Sequence, residues 1–311
     1  MSTHPDPNVL VVGATAIDVK GWAAQPLAPG TPIPGKVRVA PGGVARNVAE
    51  NLARLGITTF FLSAVGNDEF GSTALNAASA CGVDTSEGQV VTGARTAAYV
   101  SVLDGRGRPR WAVSDMDVTL YITPDYLYRH RRWFRDADWI VVDANLDGKA
   151  QSTLFRLAEQ YHVPVGADPT SAALAPRLSP WMSKLAMITP NEAEATALCG
   201  RPVTNREEAL AAAKYLVAKG VQLAIVTLAE AGLCYATRSE SGHVPAIRCH
   251  VVDYTGAGDA FSAGVVFGLL NDFPVDEAVR LGVSAATLTL KCEDTVCPEM
   301  NLEQLYDQLV I

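Results

Sequence analysis

No uninterrupted apolar run in the 311 residues approaches the roughly 18 that a membrane-spanning helix needs. The opening stretch, MSTHPDPNVLVVG, carries no basic, apolar-cored leader. Together these lacks predict a cytoplasmic chain without a membrane span. Positive charge is also scarce: 25 Lys plus Arg stand against 33 Asp plus Glu, a net charge of −8. The densest basic cluster, RHRR at 129–132, reads as a solvated helix face rather than a phosphate-tracking tract, which argues against a nucleic-acid partner. No Cys-x-x-Cys pair occurs. Cys81, Cys199, Cys234, Cys249, Cys292 and Cys297 are scattered and read as reduced residues, mostly filling the core. Cys249 and His250 are neighbours, which a strand would send to opposite faces, and the five histidines form no zinc pattern. A Gly-x4-Gly-Lys-Ser/Thr sequence is missing, which excludes a P-loop kinase. The first strand lacks a following Gly-x-Gly-x-x-Gly, which disfavours a dehydrogenase.

What is present is an ordinary globular composition, 49% hydrophobic and 19% charged. Short β-branched runs alternate with helical patterns: VLVVG (9–13), TTFFLSAVG (58–66), WIVVDAN (139–145), VPVGADP (163–169), LAMITPN (185–191) and LAIVTLA (223–229) read as strands. Between them lie helices such as VARNVAENLARLG, with Val44, Val48, Leu52 and Leu55 at helical spacing. Apolar strands separated by helices predict an α/β fold with a mostly parallel sheet covered on both faces. Ligands then bind beyond the carboxyl ends of the strands, where Asp143, Asn145, Asp168, Thr189 and Asn191 stand. Two segments break the rhythm. Residues 15–40 hold Pro26, Pro29, Pro32 and Pro34 followed by the alternating GKVRVA, and residues 96–114 read as a hairpin around DGRG. They are expected to form a small β lid over the strand ends.

The stretch VVDYTGAGDAFSAG (251–264) places Asp259 in the first turn of an otherwise apolar, small-residue helix, directly after Gly256, Ala257 and Gly258. Bare backbone N–H groups at a helix start form an anion hole. A carboxylate in the same turn can take a proton from an alcohol as it attacks a phosphoryl group held there. A plain acidic residue opposing the helix dipole is the bland alternative. In APGGVARN a second glycine pair, Gly42 and Gly43, opens a helix with Asn47 in its first turn. In TPNEAEA, Asn191 and Glu194 lie one turn apart and could organise a hydrated magnesium, or merely cap the helix.

In order, GATAIDVKG, PGGVARN, TPNEAE, TLAEAG (227–232) and DYTGAGDAFSAG resemble the ribokinase-like, or PfkB, family of sugar and nucleoside kinases over nearly the whole chain. Four further stretches resemble its pseudouridine kinase branch: PGKVRVAPGGVARNVAENLARLG, SDMD (114–117), DPTSA (168–172) and CEDT (292–295). The resemblance implies a three-layer α/β sandwich whose core comprises residues 1–14, 41–95 and 118–311. Residues 15–40 and 96–117 would form a β lid that dimerises. It implies transfer of a phosphoryl group from ATP to the ribose 5′-hydroxyl of pseudouridine, with Mg2+ and possible K+ as cofactors. By position, Asp259 matches the catalytic base, and Gly256, Ala257 and Gly258 the anion hole. Asp18, Gly42, Gly43 and Asn47 match the ribose-binding residues. Asn191 and Glu194 match the magnesium element, Thr227 and Gly232 the nucleotide loop, and Asp253 with Thr255 the cation site. Asp115, Met116 and Asp168 are candidates near the nucleobase. Tyr254, Ala229 and Cys292 depart from the family's pattern. Another ribose-handling sugar or nucleoside kinase remains an alternative, as does a non-catalytic sensor on the same fold.

Overall fold

The computed structural model describes residues 7–28, 30–104 and 109–309. Pro29, Gly105 to Gly107 of the expected DGRG turn, and the first six residues of the opening stretch lie outside them. In chain order the strands begin with β1 (Asn8–Val12), β2 (Ala16–Ala23), β3 (Gly35–Gly42), β4 (Thr58–Leu62) and β5 (Ala64–Gly66). There follow β6 (Gln89–Val91), β7 (Ala97–Leu103), β8 (Pro109–Asp115), β9 (Trp139–Asp143) and β10 (Val165–Asp168). The last are β11 (Met187–Ile188), β12 (Leu223–Thr227), β13 (Leu233–Ala236) and β14 (Ser241–Val244).

The main sheet runs β14-β13-β12-β11-β10-β9-β1-β4. It is parallel from β4 to β12, while β13 and β14 add an antiparallel edge. Alternate side chains of each strand enter separate cores. Leu10, Val12, Ile140 and Val142 pack on one side. Val9, Val11 and Val141 pack on the other, against Val48 and Leu52 of the helix Val44–Arg54 and Val265 of the helix Ala257–Leu270. From β1 the chain crosses to β4 on one side and later returns to β9 on the other. The reversal opens a crevice at the carboxyl ends of β1 and β9, the usual ligand position in such sheets.

A second, four-stranded sheet has the order β3-β2-β7-β8. Register separates its faces. One row carries Asp18, Ala40, Tyr99 and Ser114, and the next row on that face carries Lys20, Arg38 and Ser101. The opposite face presents Val37, Val39, Val100, Trp111 and Val113, all exposed.

Three expectations need correction. The run 58–66 is two strands, broken at Ser63 where the chain leaves β1 to pair with β6, and the Ser63 hydroxyl donates to the Gly13 carbonyl at 2.7 Å. The cysteines are not all reduced: the turn after the helix Val275–Leu290 brings Cys292 and Cys297 together as a disulfide. Cys249 and His250 sit in irregular backbone rather than a strand. Only Cys234 among the four free cysteines is fully buried.

Candidate active site

Two glycine-opened helices meet at the crevice, and their N-termini are satisfied differently. Gly43 has φ +97, and a Cβ there would fall 2.5 Å from the Ala14 carbonyl oxygen, so only glycine lets the chain turn against β1. Just beyond, the Asp143 carboxylate accepts from the N–H groups of Ala14 at 2.8 Å and Ala45 at 3.3 Å. This helix start is already served by a buried acid. Gly256 has φ +82, and a Cβ there would lie 1.8 Å from the Thr295 carbonyl oxygen. The helix Ala257–Leu270 has no side-chain cap. Its first-turn amides are the ones available to an incoming anion.

Asp259 sits in that first turn, 8% exposed. Its Oδ2 accepts a 2.7 Å hydrogen bond from Asn47 Nδ2. Arg46 donates to Asn47 Oδ1 at 3.0 Å and pairs with the buried Glu50, so the orientation of the Asn47 amide is fixed from behind. Burial pushes the Asp259 carboxyl well above the ordinary carboxylate range. The Asp168 charge adds to the rise, and the Asn47 bond opposes it. Asp168, at the end of β10, is pushed up to about 8, chiefly by desolvation and then by Glu194. Its Oδ1 accepts from the Thr170 N–H at 2.7 Å, so it forms a turn as well as facing the acids. Asp18, 6% exposed on β2, is pushed up to about 6 by burial, against the pull of Lys20 and Arg46. Gly42 packs its α-carbon directly against the Asp18 carboxylate.

On the other flank Asn191 and Glu194 form a reciprocal capping box, the N–H of each donating to the other's side chain at 3.0 and 2.9 Å. Thr227 pairs with Asn191 in an isolated bridge, and Gly232 closes the turn after it with φ +86. Ala229, in the same turn, is held at φ +46. Among the described residues no group of three His, Cys, Asp or Glu side chains can enclose a metal directly. The surplus of raised carboxyls instead suits a hydrated divalent ion, with one Glu194 oxygen outside the capping box.

Asp253 does not fit a bound monovalent cation. Its Oδ1 accepts from the Thr255 N–H at 2.9 Å, and Lys20 Nζ lies 2.6 Å from its Oδ2. The Lys20 ammonium and the Thr255 N–H outweigh burial and hold this carboxyl below its ordinary value. A second unit charge about 4 Å from that ammonium would be repelled by about 4 kcal/mol at an effective dielectric of 20. Asp115 does not join the Asp18 row; it pairs with Ala98, is exposed, and accepts from the Asp117 N–H at 3.3 Å. Ser114 holds the row position instead. Met116 packs partly buried against the core. Tyr254 is 60% exposed.

Sequence reasoning overlooked Lys20 and Arg46. The signal for Lys20 was available: it stands two residues from Asp18 in an alternating strand, hence on the same face.

Residues 6–300 match the profile of the pfkB family of carbohydrate kinases. The chain belongs to that family. The kinase is thus an ATP-dependent phosphotransferase acting on a sugar hydroxyl. It is 33% identical to a pseudouridine kinase of Escherichia coli, over 94% of each chain. It is 27% identical to a guanosine-inosine kinase of Exiguobacterium acetylicum, over 94% of this chain and 98% of that one. An Arabidopsis thaliana ribokinase structure, solved with ribose and ATP, superposes with a TM-score of 0.84 over the full length of both chains. At 22% identity it speaks for the ribokinase-like fold alone.

Proposed function

We propose that this kinase phosphorylates the ribose 5′-hydroxyl of pseudouridine, giving pseudouridine 5′-phosphate and ADP. The observation that carries the reading is the 2.7 Å bond between Asn47 and Asp259. It joins a ribose-binding helix to the carboxylate beside an uncapped, glycine-opened helix start. The branch-like stretches and the similarity to a pseudouridine kinase support the choice of nucleobase.

In this reading Asp18 and Asn47 hold the ribose hydroxyls, with Gly42 and Gly43 giving the sugar room beside them. The 5′-hydroxyl proton passes to Asp259 as the oxygen attacks. The amides of Gly256, Ala257 and Gly258 stabilise the transferring phosphoryl group. ATP would lie along Thr227 and Gly232, and Asn191 and Glu194 would hold a hydrated Mg2+. Bound Mg2+ supplies positive charge to the phosphates, which offsets the carboxylates around it. Residues 15–40 and 96–117 act as the lid, and residues 1–14, 41–95 and 118–311 as the core.

Pseudouridine offers a ring N1–H that uridine lacks, and a site that pairs this donor rejects uridine by leaving an acceptor unsatisfied. Ser114, on the Asp18 row, is the acceptor that the register favours over Asp115. The test is kcat/KM on pseudouridine, uridine, guanosine, adenosine, ribose and fructose, in the parent and in Ser114→Ala and Asp115→Ala. Preference for pseudouridine, reduced only in Ser114→Ala, is the expected result. Equal rates on pseudouridine and uridine in the parent overturn the substrate assignment. A loss of preference in Asp115→Ala alone returns base recognition to that residue.

A further inference from the structure

We infer that Lys20 supplies the fixed positive charge that holds the loop before the anion hole, so that the enzyme needs no bound monovalent cation. Lys20 is 5% exposed, and it reaches from β2 across to Asp253 in the loop that precedes the helix Ala257–Leu270. The contact is a charge-assisted hydrogen bond of 2.6 Å, just below the usual span of ammonium–carboxylate pairs. The second Asp253 oxygen takes the Thr255 N–H at 2.9 Å. Thr255 is joined directly to Gly256, whose positive φ sets the direction of the helix start. The ammonium therefore fixes, through one carboxylate, the backbone that presents the anion-hole amides.

The same ammonium stands on the face of β2 that carries Asp18. Two carboxylates, Asp18 and Asp253, thus share one cation, and Lys20 lowers the pKa of both. The pair also spans the two sheets' territories. β2 belongs to the four-stranded sheet, while the loop leads into a helix packed on the main sheet. Acceptor binding at Asp18 and phosphoryl binding at Gly256 are held in register by this one contact. The opposite wall of the loop is also covalently tied, because Thr295, whose carbonyl abuts Gly256, lies inside the Cys292–Cys297 loop. Lys20 acts through Asp253 and is a positioning residue. The inference rests on the phosphotransferase activity and not on the identity of the nucleobase.

The experiment compares the full-length parent, Lys20→Arg and Lys20→Ala in KCl, NH4Cl and choline chloride at equal ionic strength. Each is assayed with ATP, Mg2+ and the acceptor that the parent turns over fastest. Parent kcat is expected to agree within about twofold across the three salts. Lys20→Arg should keep most of it. Lys20→Ala should lose on the order of 10²-fold in kcat, as when an anion-hole donor is misplaced, with acceptor KM changing less. K+ or ammonium should recover part of that loss and choline none. Tm gives a second readout: KCl over choline chloride should stabilise Lys20→Ala and leave the parent unchanged. A parent activated several-fold by K+, a Lys20→Ala variant with parental kcat, or a loss equal in all three salts overturns the inference. If Lys20→Ala does not fold, the parent's response to the three salts decides. If no acceptor is phosphorylated, the function proposed above fails and the Tm arm still decides the role of Lys20.

Discussion

In the proposed reaction Asp259 is caught between two demands: it must lose its proton to act as a base, yet burial and Asp168 both favour keeping it. Asp259→Asn should keep the fold, because the amide still fills the same volume. It should lower kcat by about 10²–10⁴-fold, the usual loss of a general base, while acceptor affinity changes little. Asp18→Ala should weaken acceptor binding by about 1–3 kcal/mol, through the partners it leaves unpaired, and leave ATP affinity nearly intact. Isothermal titration with each ligand separates these outcomes, and an ATP defect in Asp18→Ala would place that residue on the wrong side of the site. For pH, the acid limb of kcat/KM should lie above the ordinary carboxylate range, since that ratio reports the free enzyme. Asp168→Asn removes the neighbouring charge and should move the limb to lower pH; an unmoved limb would show that another group sets it.

Stability should follow the same charges. A carboxyl raised in the fold binds more protons than its unfolded counterpart, so ligand-free stability falls as pH rises between the two values. Asp168 is raised from 3.8 to about 8, so Tm should be higher at pH 6 than at pH 8. Asp168→Asn should narrow that difference, and an equal difference in both proteins would remove Asp168 from the account. The place of Asp259 in the first turn of a buried helix was legible, because a single acid among small residues after bare glycines stands out. For Lys20 the spacing to Asp18 gave the face but not the partner, since Asp253 lies 233 residues away and no local pattern announces such a pair. Asp115 shows the converse: a charged residue near a hairpin end draws notice, but it lies one position along the strand from Ser114, and that shift puts it on the other face.

At the scale of elements, the two glycine-opened helices look alike in sequence and differ in what already occupies their first turns. Asp143 serves one, and it comes from the end of a strand nearly a hundred positions along, at a sequence distance of 98 from Ala45. Sequence showed the glycines but not this occupant. Gly256→Ala should abolish most activity while leaving far-UV circular dichroism unchanged, because the new methyl meets the Thr295 carbonyl and deflects the helix start. Near-parental kcat in that variant would contradict the anion hole. The turn after β12 carries the opposite fault, a non-glycine residue, Ala229, at φ +46. Ala229→Gly should raise Tm, gaining up to about 1 kcal/mol from relief of the left-handed conformation. Strand and helix periodicity revealed most of these elements. The break at Ser63 and the antiparallel edge escaped because both depend on tertiary hydrogen bonds rather than on local alternation.

For the whole molecule, the apolar outer face of the four-stranded sheet is the feature with the plainest consequence for assembly. Val37 and Val113 are 73% and 70% exposed, and an apolar patch of this kind on a sheet face is costly to leave in water. A homodimer formed by two such faces is proposed. Val113→Glu should convert it to a monomer in sedimentation velocity without lowering the monomer's Tm greatly; a parent that sediments as a monomer at every concentration would end the proposal. The doubly covered parallel sheet was legible from its apolar strands. The meeting of the lid segments was only partly so, because β2 and β7 pair in parallel across a long excursion of chain.

The bond between Asn47 and Asp259 joins residues separated by 212 positions. During translation the helix Val44–Arg54 leaves the ribosome long before Asp259, the partner of its Asn47, has been synthesised. Until the helix Ala257–Leu270 docks, the Asn47 amide has no carboxylate to donate to and must be served by water. With Asp259 as the proposed base, an amino-terminal fragment that stops short of it should turn over no substrate, however well its strands have paired. A premature stop upstream of that helix should then yield a silent product, and a carboxy-terminal fragment supplied in trans would have to rebuild this contact to restore turnover.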